Sequence, residues 1–239
     1  MSAESAGAYT GLVALHQQLV RTPEADCTGA ALYPRPRVVR SWQPTFDQTP
    51  YQPVDPTTLG LDGTDSFHDL PEATLRTAIL HVIDGEGPVH FDMLGDRLLA
   101  AADVARMGSR IRARIEAVLD RLAEDDEIAR VGAFNARREQ FLRPCLRDWR
   151  PLPDRERRLE RVADSELMLC LFHAVFDRDG IDVGTAMNDG LHAIGFIRLT
   201  VNARERMEAP LQALIERGML ARVDGGIAIG REAFVRPAS

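Results

Sequence analysis

The sequence predicts a mainly helical chain with small β-hairpins, built as two similar units behind a proline-rich arm. Three observations carry that expectation. Seven of the fourteen prolines fall between Pro23 and Asp69, where no apolar period survives. From Asp69 onward, three stretches with apolar residues at helical spacing precede a short alternating pattern around a turn. The same order then recurs from Asp164.

Residues 5–21 are expected to form a short amphipathic helix, with Leu12, Leu15, Leu19 and Val20 near one face. "YPRPRVVRSWQP" (33–44) reads as extended, because each proline disfavours helix for itself and its predecessor. Tyr33, Trp42, Phe46 and Tyr51 in the arm point to packing on the chain's own core or on a partner. In "DLPEATLRTAILHVIDGEG", Asp69 is a candidate cap and Pro71 suits a first turn. Leu75, Ile79 and Val82 give a helix that Gly85 and Gly87 end. "HFDMLGDRLLAAA" gives a second helix with Phe91, Leu94, Leu98 and Leu99 on its apolar side. A third helix follows Gly108, with Ser109 as its expected cap. "EIARVGAFN" and "QFLRP" are expected as two short strands around a polar turn. Three helices followed by a hairpin is the winged-helix order. The second and third helices form the helix-turn-helix and the hairpin forms the wing.

The second unit reads the same way. "DSELMLCLFHAVFDRDG", "VGTAMNDGLHAIG" and "VNARERMEAPLQALIERG" give three helices, and "MLARVDGGIAIG" gives a hairpin whose Asp224-Gly225 turn favours positive φ. Gly87 aligns with Gly180 at a spacing of 93 residues, whereas Ile115, Leu119 and Leu122 align with Met207, Leu211 and Leu214 at 92. Asn202 and Glu205 fit a capping box, and Pro210 should kink the last helix or shorten its start. The expected divisions are an arm over 1–70, a first winged-helix unit over 71–150 and a second over 151–239.

Composition narrows the function classes. With 45% hydrophobic and 27% charged residues the chain has the make-up of a globular protein. No apolar run reaches the roughly 20 residues that span a bilayer. The N-terminus lacks the pattern of a secretory leader, so the expectation is a cytoplasmic protein without a membrane partner. Cys27, Cys145 and Cys170 are too sparse for a disulfide framework or a zinc site. The histidines show no metal-ligand spacing, and no nucleophile set or phosphate-binding glycine loop is present, so neither an enzyme nor a cofactor is expected. All 29 basic residues are arginine, each a fork suited to phosphate or carboxylate. A net charge of -7 argues against indiscriminate DNA coating, yet residues 106–161 hold fifteen arginines against eleven acids.

"EGPVHFDMLGDRL" and "ARMGSRIRARIEAVLDRL" together resemble an uncharacterised C-terminal domain, domain of unknown function 3320, of large bacterial proteins that carry a superfamily-1 helicase and a Vsr-like nuclease. "EGPVHFD" (86–92) and "GSRIR" (108–112) are the closest parts, and the resemblance extends over roughly residues 50 to 230. It implies a nucleic-acid-processing setting, with a helicase or nuclease as partner, in defence or repair. It implies no activity of this chain's own.

Turned at about 100° per residue, the third helix gathers Ile111, Ile115, Val118, Leu119 and Leu122 on one face. Arg112 has Glu116 four residues on, and Arg121 has Glu124 and Asp125 nearby. Arg110 and Arg114 have no acid three or four residues away. A helix start offers free N–H groups and a positive dipole end, so cations there are unfavourable without an anion. The expected DNA contacts are therefore Arg106, Ser109, Arg110 and Arg114 at the helix start, with Arg137 and Arg138 at the turn of the wing. Trp149 is either a base-stacking residue or a buried one. The alternative to contact with DNA, expected double-stranded, is a module that docks on a protein or on a second copy of the chain. One continuous positive strip joining Arg110, Arg114 and the wing supports DNA; acids interleaved through that strip would sink that reading.

Overall fold

A computed structural model describes residues 48–61, 67–142, 144–176, 178, 180–230 and 233. The helix expected over 5–21, and the arm up to residue 47, lie outside the described residues. The described chain is mainly helical, with seven helices and small β-sheets.

It divides into two compact units. The first comprises residues 51–141 and 151–163; the second comprises residues 48–50, 142–150 and the described part of 164–239. In the first unit α1 spans Glu72–Glu86, and it buries Leu75, Ala78, Ile79, Val82 and Ile83. Pro71 precedes it without a side-chain cap, and Gly87 N–H donates to Ile83 O at 2.9 Å to close it. After a two-residue strand (Val89–His90), His90 Nδ1 accepts from Asp92 N–H at 3.1 Å and caps α2, Phe91–Ala101. Helix α3, Ser109–Glu124, buries Ile111, Ile115, Val118, Leu119 and Leu122, the five residues its periodicity selects. Both α2 and α3 pack against α1.

The hairpin departs from the expected layout. Both of its strands, Ala129–Val131 and Phe134–Ala136, come from "EIARVGAFN", and the turn is Gly132-Ala133. Gly132 has φ of +57°, which a side chain would strain. The second strand lies in the middle of the sheet, pairing antiparallel with Val89–His90 on one side and Ala129–Val131 on the other. "QFLRP" is not a strand: residues Arg138–Leu142 form the short helix α4. A two-residue turn completes the hairpin earlier, and the following segment is free to coil.

The second unit opens with two parallel strands, Gln48–Pro50 beside Leu146–Asp148. Helices α5 (Asp164–Phe176), α6 (Val183–Ala193) and α7 (Val201–Glu216) follow, then the hairpin Leu220–Val223 with Gly226–Ile229. A single bridge, Ile181 to Ile227, occupies the place of the two-residue strand in the first unit. Helix α5 packs against α6 and α7. Thr200, not Asn202, caps α7: its Oγ1 accepts from Ala203 N–H at 3.1 Å. Pro210 is buried within α7, which at 16 residues matches the length of α3, so the proline does not shorten it.

The two units repeat with a constant offset. Glu72 and Asp164, Phe91 and Val183, and Ser109 and Val201 begin corresponding helices, each pair 92 residues apart. The strand partners Val89–Asn135 and Ile181–Ile227 keep the same offset. The one-residue change expected between Gly87 and Gly180 is therefore absent. Ion pairs obey the same rule. Arg97 on α2 binds Glu86 at the end of α1 at 2.9 Å, and at the corresponding places Arg178 binds Asp189 at 2.7 Å. The bridge recurs with its charges exchanged, Arg178 lying just past the end of α5 and Asp189 on α6.

Candidate nucleic-acid interface

The candidate surface begins in the loop after α2. Arg106 is exposed there, and Gly108 is the residue before α3. Gly108 has no side chain to accept a first-turn N–H, so Ser109 is the first helical residue and not the cap expected. In the second unit Thr200 holds the corresponding position and does cap. The α3 start is thus left with amides that no capping side chain satisfies. Ser109 and Arg110 are both exposed. Among the described residues neither Arg106 nor Arg110 forms an ion pair.

The neighbouring arginines are engaged. Arg112 Nη2 lies 3.2 Å from Asp92 Oδ1, with its guanidinium 4.6 Å above the Phe91 ring, so its partner is not Glu116. Glu116 instead holds Arg130 at 2.6 Å, with Asp120 on the same guanidinium. Arg121 meets Glu72 at 2.6 Å, rather than Glu124 or Asp125. Arg114 donates to the carbonyls of His68 and Leu70, which lead into α1. Its counterpart, Arg206, 92 residues on, holds Asp164 at the start of α5 at 2.5 Å. Both arginines fasten the start of their unit's first helix to its third.

The wing arginines also change role. Arg137 and Arg138 follow the second strand and do not sit at the turn. Arg137 grips both oxygens of Asp84 at 2.6 and 3.0 Å and donates to Glu127 O at 3.0 Å. Hydrogen bonding to Asp84 raises its pKa still further above the ordinary arginine value. Arg138 stays exposed, with Asp126 at 3.6 Å. No arginine stands at the Gly132-Ala133 tip. The continuous strip does not form. Acids lie on Arg112, Arg130, Arg137 and Arg138 between α3 and the hairpin, while Arg106 and Arg110 are exposed and in no ion pair among the described residues.

Two buried networks escaped sequence reasoning. In the first unit Glu86 Oε2 accepts from Tyr51 Oη at 2.8 Å, and Oε1 accepts from Val54 N–H at 2.8 Å and Arg97 Nε at 2.9 Å. Arg97 also reaches Glu156 at 2.9 Å. In the second unit Glu166 accepts from Arg147 Nη2 at 2.7 Å and from Trp149 Nε1 at 3.1 Å. Trp149 is 0% exposed, so it is core and presents no ring to a base. The exchanged charges at the 92-residue offset are the signal that could have found the first network; nothing in spacing marks the second. Burial holds the Cys170 thiol well above its ordinary pKa, which makes it inert. No group of three or more metal-ligating side chains forms among the described residues, and no described helix is long and apolar enough to cross a membrane.

A family model described as a protein of unknown function (DUF3320) matches residues 65–113, which span α1, α2 and the start of α3. The match supports a domain of that kind over this stretch, a much shorter one than the resemblance at 50 to 230 suggests. No curated protein and no solved structure matches the chain.

Proposed function

We propose that the chain is a non-catalytic, tandem winged-helix protein that binds duplex DNA through the start of α3 in its first unit. The order of helix, short strand, helix, helix and hairpin in the first unit, followed in the second with a single bridge in the strand's place, supports that reading. The observation that carries the reading is the contrast on one helix: Arg112, Arg114 and Arg121 all have partners, while Arg110 and nearby Arg106 are exposed without an ion pair among the described residues. Beside them lie the first-turn amides that Gly108 leaves uncapped. Amides and guanidinium groups together make a phosphate seat. Under this reading the chain serves a helicase or nuclease system, the setting that the resemblance implies.

The test is a salt titration of duplex binding for the full chain and for a variant carrying both Arg106→Ala and Arg110→Ala. Loss of affinity together with a flatter salt dependence is expected. Unchanged affinity with intact circular dichroism rules the surface out. A second reading, a module that docks on protein, is favoured by the number of surface arginines already neutralised by acids, Arg76, Arg130 and Arg137 among them. Absence of any DNA binding at low salt selects it.

A further inference from the structure

The exposed large hydrophobic side chains among the described residues are Ile197 at 72%, Val201 at 73% and Val223 at 42%, and all three belong to the second unit. Ile197 and Val201 stand 92 residues after Ala105 and Ser109. They occupy in the second unit the place that the phosphate seat holds in the first. The chemistry has been exchanged. Ala105-Arg106 becomes Ile197-Arg198, and Ser109-Arg110 becomes Val201-Asn202.

The anion-binding features are weakened there. Thr200 Oγ1 already accepts from Ala203 N–H at the start of α7. Arg204 is drawn away, its guanidinium lying against Gly184 and beside Asp182 at the start of α6. The apolar features are held in place. His192 Nε2 lies 2.7 Å from Ile197 O, which ties the loop to the end of α6, and Val201 is the first residue of a 16-residue helix. Arg198 and Arg222 adjoin Ile197 and Val223, are exposed, and form no ion pair among the described residues.

Two arguments choose the occupant. Two protruding aliphatic side chains fall far short of the about 800 Å² per partner that a stable protein interface buries, whereas one or two suffice to wedge between bases. Each exposed cluster also carries an arginine, which complements a polyanion. We infer that the second unit binds nucleic acid at places where bases are unstacked. Ile197 and Val201 press on the exposed base faces and Arg198 meets the flanking phosphate. Exposed Glu205, one turn along α7, keeps the phosphates on the Arg198 side. This extends DNA binding to the second unit but does not depend on Arg106 or Arg110.

The experiment compares the full chain on a duplex, on a forked duplex with unpaired arms, and on a fork carrying 2-aminopurine at the junction. Tighter binding to the fork than to the duplex is expected, with a rise in 2-aminopurine fluorescence. Replacing both Ile197→Ser and Val201→Ser, exposed positions that leave the core intact, should reduce fork affinity to the duplex level and abolish the fluorescence change. The Arg106→Ala, Arg110→Ala variant should weaken duplex and fork alike. If duplex binding survives that variant while the fork preference persists, the α3 reading fails and the wedge stands. The wedge is overturned if the wild-type chain shows no fork preference, or if the serine variant keeps it. It is equally overturned if the serine variant turns a dimer into a monomer in sedimentation, which places these side chains between two copies.

Discussion

Arg97 and Arg178 show how one contact takes on different weight at different depth. Glu86 is fully buried as a side chain and Arg97 nearly so, while Arg178 and Asp189 are 44% and 32% exposed. Removing one partner of a buried pair strands the other charge, at a cost of about 3–5 kcal/mol; an exposed pair contributes about 0–1 kcal/mol. Arg97→Ala should therefore lower the urea midpoint sharply, and Arg178→Ala should barely move it. Equal effects would show that the two bridges share one environment. Asn135 offers a second residue-level test. Both polar atoms of its side chain are buried without a hydrogen-bond partner among the described residues, and the second unit has Ile227 at the matching site. An unsatisfied buried group costs about 1–3 kcal/mol, so Asn135→Leu should raise the urea midpoint. A fall would mean that the amide has a role the fold does not reveal. Which arginines are spoken for was illegible along the chain. Arg114 and Arg121 find partners more than forty residues away, and helical spacing carries no information on such contacts.

At the scale of the element, the start of α3 ties stability to binding. Gly108 has φ of -77° and open space where a Cβ would stand, so a side chain fits there without strain. Gly108→Ser would give α3 the hydroxyl cap that Thr200 gives α7. Stability should rise by a few tenths of a kcal/mol, since glycine is itself a tolerable cap. Duplex affinity should fall, because the hydroxyl takes an amide that a phosphate would use. Denaturant unfolding and the binding titration read the two effects separately, and a variant that binds as well as the wild type removes the amides from the proposed seat. The long helices from α1 to α3 were legible. All five apolar residues assigned to the inner face of α3 are buried. The hairpin was legible only in part. Gly132 marks its turn, but "QFLRP" has enough apolar residues to suit a strand or a helix turn, and only the completed sheet excludes it.

For the whole molecule the governing quantity is how many cations reach a phosphate. Fifteen arginines between residues 106 and 161 suggest a broad basic face, yet acids occupy most of those near α3 and the hairpin. With two free cations at the α3 start, log affinity for duplex should fall with log salt at a slope of about -1.8. A slope several times steeper would mean that the ion-paired arginines let go of their acids when DNA binds. The acidic balance of the chain fits such a shallow dependence, since it leaves little long-range attraction to a polyanion.

The sequence by itself determined the three long helices of each unit, the face that α3 buries and the recurrence of the helix order, because all three depend on spacing along the chain. The tertiary structure decided which charges remain available. Whether an arginine meets a carboxylate, a carbonyl or solvent depends on which distant segments packing brings within about 3 Å of it. That is why, of the six candidate residues, Arg114 and Arg137 are engaged within the chain while Arg106, Ser109, Arg110 and Arg138 stay exposed, and why Ile197 and Val201 stand out only once the fold has buried most of the other large apolar side chains.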